Sequence, residues 1–220
     1  MVSFDKSRKL REGELLGCES ESSGDEGEGY GGFRLPDESD EDEEEEEGED
    51  PGEGNPNERI LWAAQHNKME VAKEMLLKNA KLVGARDSDL YTPLHRASYN
   101  NHLQMVKLLL HHGADPLATT EDGWTPLHSA AKWNCVLVAE LLLSTTPVNC
   151  VTRGGQTPLH LACLAASSRD TVELLLSQPE LDPSLKNSQG DTAREVAART
   201  GNLAPLFDCV EPKALRRHKE

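Results

Sequence analysis

No segment of the 220 residues strings together the roughly 20 apolar residues that a membrane-spanning helix needs. The opening MVSFDKSRKLREGELLG likewise has no apolar stretch long enough for a secretory signal. Cysteine is scarce: Cys18, Cys135, Cys150, Cys163 and Cys209 are five in number, an odd count, with no C-x-x-C pair among them. That spacing argues against a zinc module and against a disulfide framework. These absences predict a soluble, intracellular protein with reduced thiols, Cys135 and Cys163 being buried in apolar helical patterns. The G-x-S-x-G, H-E-x-x-H, Walker and dinucleotide signatures are also missing. No residue set therefore supports an enzyme, and none calls for a cofactor or a metal.

A surplus of basic residues is missing as well. The formal net charge is -16, and all of it lies at one end. Residues 1–57 hold 21 acids against 5 bases, whereas residues 58–220 hold 18 of each. The domain thus offers no broad footprint for phosphate, and direct binding of nucleic acid is not expected. The run from Asp37 to Asp50 has 12 acids in 14 residues. Such a run repels itself and has too little apolar surface to offset the entropy of ordering, so residues 1–57 are read as a disordered acidic arm. Gly and Pro residues at 51–56 are read as its flexible junction. Ser22, Ser23 and Ser39 each have an acid three residues on, the pattern of an acidophilic kinase site, where phosphorylation would add negative charge. Two short basic clusters, KSRKLR at 6–11 and KALRRHKE at 213–220, are read as solvated ends.

What the chain does have is a repeat. The tetrapeptide TPLH occurs at Thr92–His95, Thr125–His128 and Thr157–His160, with Pro93, Pro126 and Pro158 at its second position. Weaker copies are TARE from Thr192 and ERIL from Glu58. Self-similarity at this period signals stacked units, none of which can bury its apolar face alone. Within each unit the pattern predicts a short helix, a tight turn and a second, leucine-rich helix. Thr is a good N-cap, and Pro fits the first helical position, where its missing N–H removes nothing. Asn67, Asn101, Asn134 and Gly201 fall at one register, nine residues past the motif's start, and are residue types that tolerate a left-handed backbone. AASSRD carries one extra residue between the helices of the fourth unit, which predicts a looser turn there. The polar stretches GARDSDLY, TTEDGW, TRGGQ and KNSQG predict hairpin-like fingers between units.

TPLH at the first helix, the Asn-centred turns and the ending HHGADP at His111–Pro116 resemble the ankyrin repeat. The resemblance covers residues 58 to about 210 and implies an all-α solenoid behind the acidic arm. Approximate units are 58–90, 91–123, 124–155 and 156–190, with a capping unit at 191–210 and a basic tail at 211–220. In that family the motif histidine fixes the loop onto the helix, which assigns Thr92, Pro93, His95, Thr125, Pro126, His128, Thr157, Pro158 and His160 to the scaffold. Geometry agrees: equivalent residues of neighbouring helices lie about 8–10 Å apart, too far for the three histidines to share a zinc ion with ligands about 2 Å away. His111 and His112 are read as a solvated helix end.

The resemblance also implies partner binding on a concave face, at the residue before the Thr, the residue after the His and the pair before the turn. Those positions bring forward Tyr91, Arg96, Tyr99, Trp124, Lys132 and Trp133. Aromatic residues are only 4% of the chain, and Tyr, Trp and Arg are the residues that most often anchor interfaces. The expectation is a non-catalytic, monomeric protein-binding module whose partner carries a basic segment attracted by the arm. The resemblance further implies a regulatory protein of the nucleus, with the cytoplasm as a second location, acting on gene expression through that partner. An assembly chaperone or substrate adaptor holding a basic client is the alternative.

Overall fold

The computed structural model describes residues 50–52, 54–164, 168–201 and 203–209. The acidic run before Asp50, Ser22, Ser23, Ser39, both basic clusters and the extra residue in AASSRD lie outside them. Nine α-helices occur among the described residues. They are α1 (Pro56–Gln65), α2 (Met69–Lys78), α3 (Pro93–Tyr99), α4 (Leu103–His111), α5 (Pro126–Lys132), α6 (Val136–Leu143), α7 (Pro158–Cys163), α8 (Arg169–Leu176) and α9 (Ala193–Thr200). Two 3-10 turns, Ala80–Gly84 and Ala204–Cys209, complete them. Four helix pairs are followed by α9 and its 3-10 turn, and the only β pairing among the described residues is an isolated bridge between Lys186 and Thr192.

Small residues set the spacing of the stack. Ala63, Ala97, Ala130, Ala162 and Ala197 recur at one register of the first helices and are wholly buried. Ile60, Leu94, Leu127 and Leu159 recur beside them, equally buried. An alanine brings neighbouring helix axes close, while the larger side chain fills the groove next to it. In the second helices Met75, Leu109, Leu142 and Leu175 form the matching apolar row. Thr171 interrupts a row otherwise held by Val71, Met105 and Val138, and its buried hydroxyl donates to Asn134 Oδ1 at 2.7 Å. First helices pack closely on one another, α1 on α3, α3 on α5, α5 on α7 and α7 on α9, while successive second helices touch more sparsely. The stack therefore bends with the first helices on its inner side.

The motif histidine joins each unit to the next. Thr92 N–H donates to His95 Nδ1 at 3.2 Å, and the His95 backbone N–H donates back to Thr92 Oγ1 at 3.4 Å. This is a capping box with His where Glu or Gln is usual. Because a backbone N–H can only donate, Nδ1 must accept, and the ring proton sits on Nε2. Nε2–H then donates to the carbonyl of Trp124, one finger further on, at 2.9 Å. His128 repeats the arrangement with Thr125 N–H at 3.1 Å and Gln156 O at 3.1 Å. His160 does so with Thr157 N–H at 3.3 Å and Asp191 O at 3.1 Å. Each ring has both nitrogens engaged, so none of the three turns a lone pair toward an ion. In α9 the degraded copy keeps the box with a carboxylate, Glu195 Oε2 accepting from Thr192 N–H at 2.7 Å.

The turns follow the asparagines in three of four cases. Asn67, Asn101 and Asn134 have φ of 52°, 61° and 56°. The next N–H in each bonds five residues back, to Ala63, Ala97 and Ala130, the Schellman pattern that closes a helix over a left-handed residue. Gly201 departs from the expectation with φ 153°, because the chain there leads into the 3-10 turn rather than a second helix. The first unit departs too. Its helix starts at Pro56, not near Glu58, because Asn55 caps it, accepting from Asn57 N–H at 3.0 Å and donating to Glu58 at 2.9 Å. Asn55 and Pro56, expected in the junction, are start signals placed about one turn upstream, so α1 has 10 residues where α3 has 7.

The fingers form as hairpins pinned to one another. Asp87 N–H bonds Tyr91 O, Thr120 N–H bonds Trp124 O, Thr152 N–H bonds Gln156 O and Asn187 N–H bonds Asp191 O. Between fingers, Glu121 N–H reaches Asp89 O at 3.0 Å, Arg153 N–H reaches Asp122 O at 2.9 Å and Ser188 N–H reaches Gly154 O at 3.0 Å. Each finger has one positive-φ residue before the hairpin closes: Leu90, Gly123, Gly155 and Gly190. At Gly123 a Cβ would lie 2.9 Å from the Arg153 nitrogen, so the close approach of finger to finger requires glycine. Leu90 stands at the same register with φ 64°, a conformation that costs a residue with a Cβ about 1–2 kcal/mol.

Two outcomes are expected. Leu90→Gly should stabilise the fold by about 1 kcal/mol, after the entropy that glycine itself adds to the unfolded chain, raising the melting temperature; a melt at or below that of the parent would contradict this. The second concerns acid. Burial pushes His95 and His128 from 6.5 down to about 4, and His160 also downward, against the opposing effect of their backbone hydrogen bonds. Unfolded histidines take up protons near 6.5 whereas the folded ones resist until about 4, so stability is full above that window and falls through it as pH drops. The loss is on the order of 3 kcal/mol for each fully shifted ring. Urea midpoints should fall between pH 7 and pH 4.5, and the His95→Gln, His128→Gln double variant, weaker at neutral pH, should lose less over the same interval.

Candidate protein-binding face

The positions that the repeat motif leaves variable lie along the first helices and at the bases of the fingers, and of these Ser129 and Leu161 are buried. Tyr91, Trp124 and Gln156 immediately precede the helix caps, Arg96, Ser129 and Leu161 follow the motif histidines, and Tyr99, Lys132 and Leu164 form the next row one turn on. Trp133 closes α5 as its C-cap residue. Every Trp and Tyr among the described residues falls on these rows once the first unit is included, because Trp62 sits in α1 at the register of Arg96. Trp62, half-buried with its ring 5.3 Å from that of His66, is the residue that sequence reasoning missed. Carrying the register from Glu58 into the first unit would have found it.

The expected residues form two groups. In the first, the Arg96 guanidinium lies 5.1 Å from the centroid of Tyr91. It also pairs with Asp87 and donates to Gln65 Oε1 at 3.4 Å. Tyr91 meets His95 edge-on at 5.7 Å. Burial raises the Tyr91 phenol above its ordinary range, Arg96 opposes the shift, and the carboxylates of Asp122, Asp87 and Asp89 add to it. Arg96 thus ties the first finger to the inner wall.

In the second group, Tyr99 of α3 meets Trp133 of α5 edge-to-face, with centroids 4.8 Å apart and planes at 62°. The Cys135 thiol lies behind the pair, 3.7 Å from the Tyr99 carbonyl and 3.6 Å from that of Trp133. Trp133 remains 44% exposed, which makes it a ring held in place yet open to a partner. Lys132 precedes it, half-buried. Trp124 stands apart from both groups: its backbone is held on either side by Thr120 Oγ1 and His95 Nε2, and its side chain is half-buried.

The thiols of Cys135, Cys150 and Cys163 are poor nucleophiles. Burial pushes Cys135 up to about 11 and Cys163 up to about 12, and raises Cys150 as well. His128 Nδ1 lies 3.9 Å from Cys150 Sγ but is already engaged by Thr125, so it does not serve as a base for it. Among the described residues no group of three His, Cys, Asp or Glu side chains is arranged to hold a metal ion, and no helix is long and apolar enough to cross a membrane.

Helix pairs that start on a Thr-Pro-Leu-His cap, carry pinned fingers and turn an aromatic inner face outward define an ankyrin-repeat protein-interaction module, and the chain belongs to the ankyrin-repeat family. Residues 74–130 match the family pattern for ankyrin repeats in many copies, and residues 115–187 match that for three copies. Similar proteins include Ankyrin repeat domain-containing protein 49 of Bos taurus, 48% identical over 160 residues that cover 72% of this chain and 67% of that protein. The protein of the same name from Homo sapiens is 45% identical over the same shares. That from Drosophila melanogaster is 43% identical over 69% of this chain and 71% of its own length.

Proposed function

We propose that the chain is a non-catalytic regulator that binds a partner protein on the inner face of its second and third repeats and acts through it on gene expression in the nucleus, and also in the cytoplasm. The observation that carries the binding site is the gathering of Tyr91, Tyr99, Trp124 and Trp133 on one face of a chain with 4% aromatic residues. Aromatic rings bring large contact area at a small entropy cost, and those already held by packing are preorganised. The regulatory and nuclear part of the reading rests on the family resemblance.

The acidic arm supports a second reading, an assembly chaperone or adaptor that shields a basic client. A segment with 12 acids in 14 residues raises the local concentration of cationic partners through long-range attraction.

Purification after cross-linking should recover a partner with the intact protein and lose it with the Trp124→Ala, Trp133→Ala double variant, whose melting temperature should fall only by the few degrees that half-exposed rings contribute. Retained capture, or a collapse of the melt, would count against the inner face as the site. Removal of residues 1–49 should flatten the salt dependence of capture if the arm attracts a basic client; an unchanged slope assigns the arm no part in it. Imaging of the tagged full-length chain decides the location, exclusion from the nucleus being the outcome against this reading.

A further inference from the structure

The inner face between Tyr91 and Leu164 has an unbalanced charge. Its rows read Tyr91, Trp124, Gln156; Arg96, Ser129, Leu161; Tyr99, Lys132, Leu164; and Asn100, Trp133. No carboxylate occurs in them. Two cations do, and they differ. Arg96 is paired with Asp87 at the base of the first finger. Lys132 is half-buried, its ammonium makes no ion pair or hydrogen bond among the described residues, and burial lowers its proton affinity.

An ammonium partly withdrawn from water without a counter-charge is a destabilising element unless something else supplies the charge. The surroundings say what. On the row of Lys132 its neighbours are Tyr99 on one side and Leu164, 42% exposed, on the other. Trp133, 44% exposed and fixed edge-on against Tyr99, follows it in the chain. The site is a cation set among apolar side chains, open to solvent.

We propose that Lys132 is the specificity-determining residue of the inner face, and that it takes one Asp or Glu side chain of an extended partner segment whose adjacent residues are apolar and pack on Trp133 and Leu164. The inference rests on the inner-face reading given above and adds the chemistry of the partner. The neighbouring fingertips decide between one carboxylate and many. Asp89, Glu121 and Asp122 are exposed on the first two fingers, and Asp89 and Asp122 lie close enough to Tyr91 to raise its phenol. A partner segment with a run of acids would be repelled there, whereas a single carboxylate at Lys132 avoids them. A carboxylate accepting from this ammonium also contributes to discrimination, since a partner that covers the site without one would bury the charge unpaired.

A library of displayed random short peptides selected on the full-length protein, followed by affinity measurement of the recovered peptides, tests this. They should carry one Asp or Glu beside an apolar residue. Lys132→Glu should weaken their binding roughly 30-fold, and a peptide with its acid replaced by Lys should bind that variant better than it binds the parent. Lys132→Met, which removes the desolvated charge, should melt no lower than the parent and still bind weakly, which separates recognition from folding. Peptides that depend on Trp133 but not on Lys132 would overturn the carboxylate site and leave the inner face standing. Peptides indifferent to both Trp133→Ala and Lys132→Glu would remove both readings. Recovered peptides rich in Lys and Arg, or competition by a synthetic segment 37–49 as strong as that of the recovered peptides, would also overturn the proposal.

Discussion

The stack depends on a neutral imidazole with both nitrogens engaged. His95 accepts from its own helix cap through Nδ1 and donates through Nε2 to the carbonyl that precedes the next cap. One side chain thereby fixes where a helix starts and where the following finger lies relative to it. His128 and His160 repeat the step. A protonated ring could not accept at Nδ1, so the same bond that builds the array also requires the low proton affinity that burial supplies. The last copy caps α9 with a carboxylate, Glu195, in place of the imidazole.

With register set this way, the side chains proposed for binding are positioned by default. A residue one place before the Thr stands at the base of its finger, while the residue after the His is half-buried at Arg96 and buried at Ser129 and Leu161. The scaffold residues are chosen by packing and capping, and their neighbours are released from that requirement. Trp133 and Lys132 occupy such released positions at the end of α5. Trp133 gains a fixed orientation from Tyr99 of the preceding unit, so the face is preorganised across a repeat boundary and not within one unit.

Much of this was legible in the sequence because the repeat reports the same geometry several times. Thr92 with Pro93, the three turn asparagines and the buried alanines each recur, and recurrence separates a structural rule from an accident. The places that escaped are those where the repeat decays. At the first unit Asn55 and Pro56 carry the helix start outside the motif register, and Trp62 was passed over because no TPLH marks its row. Gly201 has the residue type of a left-handed turn without the second helix that would use it. Leu90 holds a position where the other fingers have glycine, and only the backbone angle reveals it. The Tyr99 and Trp133 pair needs two units placed side by side, information that no single repeat contains.

The inner face also has the property of a ruler. Successive first helices are spaced by about 10 Å, and an extended chain advances roughly 3.3 Å per residue. A partner strand laid along the stack would therefore meet equivalent positions of neighbouring repeats at every third residue. Tyr99, Lys132 and Leu164 would be met in order by a three-residue step in the partner. The order in which the rows present aromatic, cationic and aliphatic side chains gives the face a direction, so a strand of the right composition running the wrong way would find its residues out of sequence.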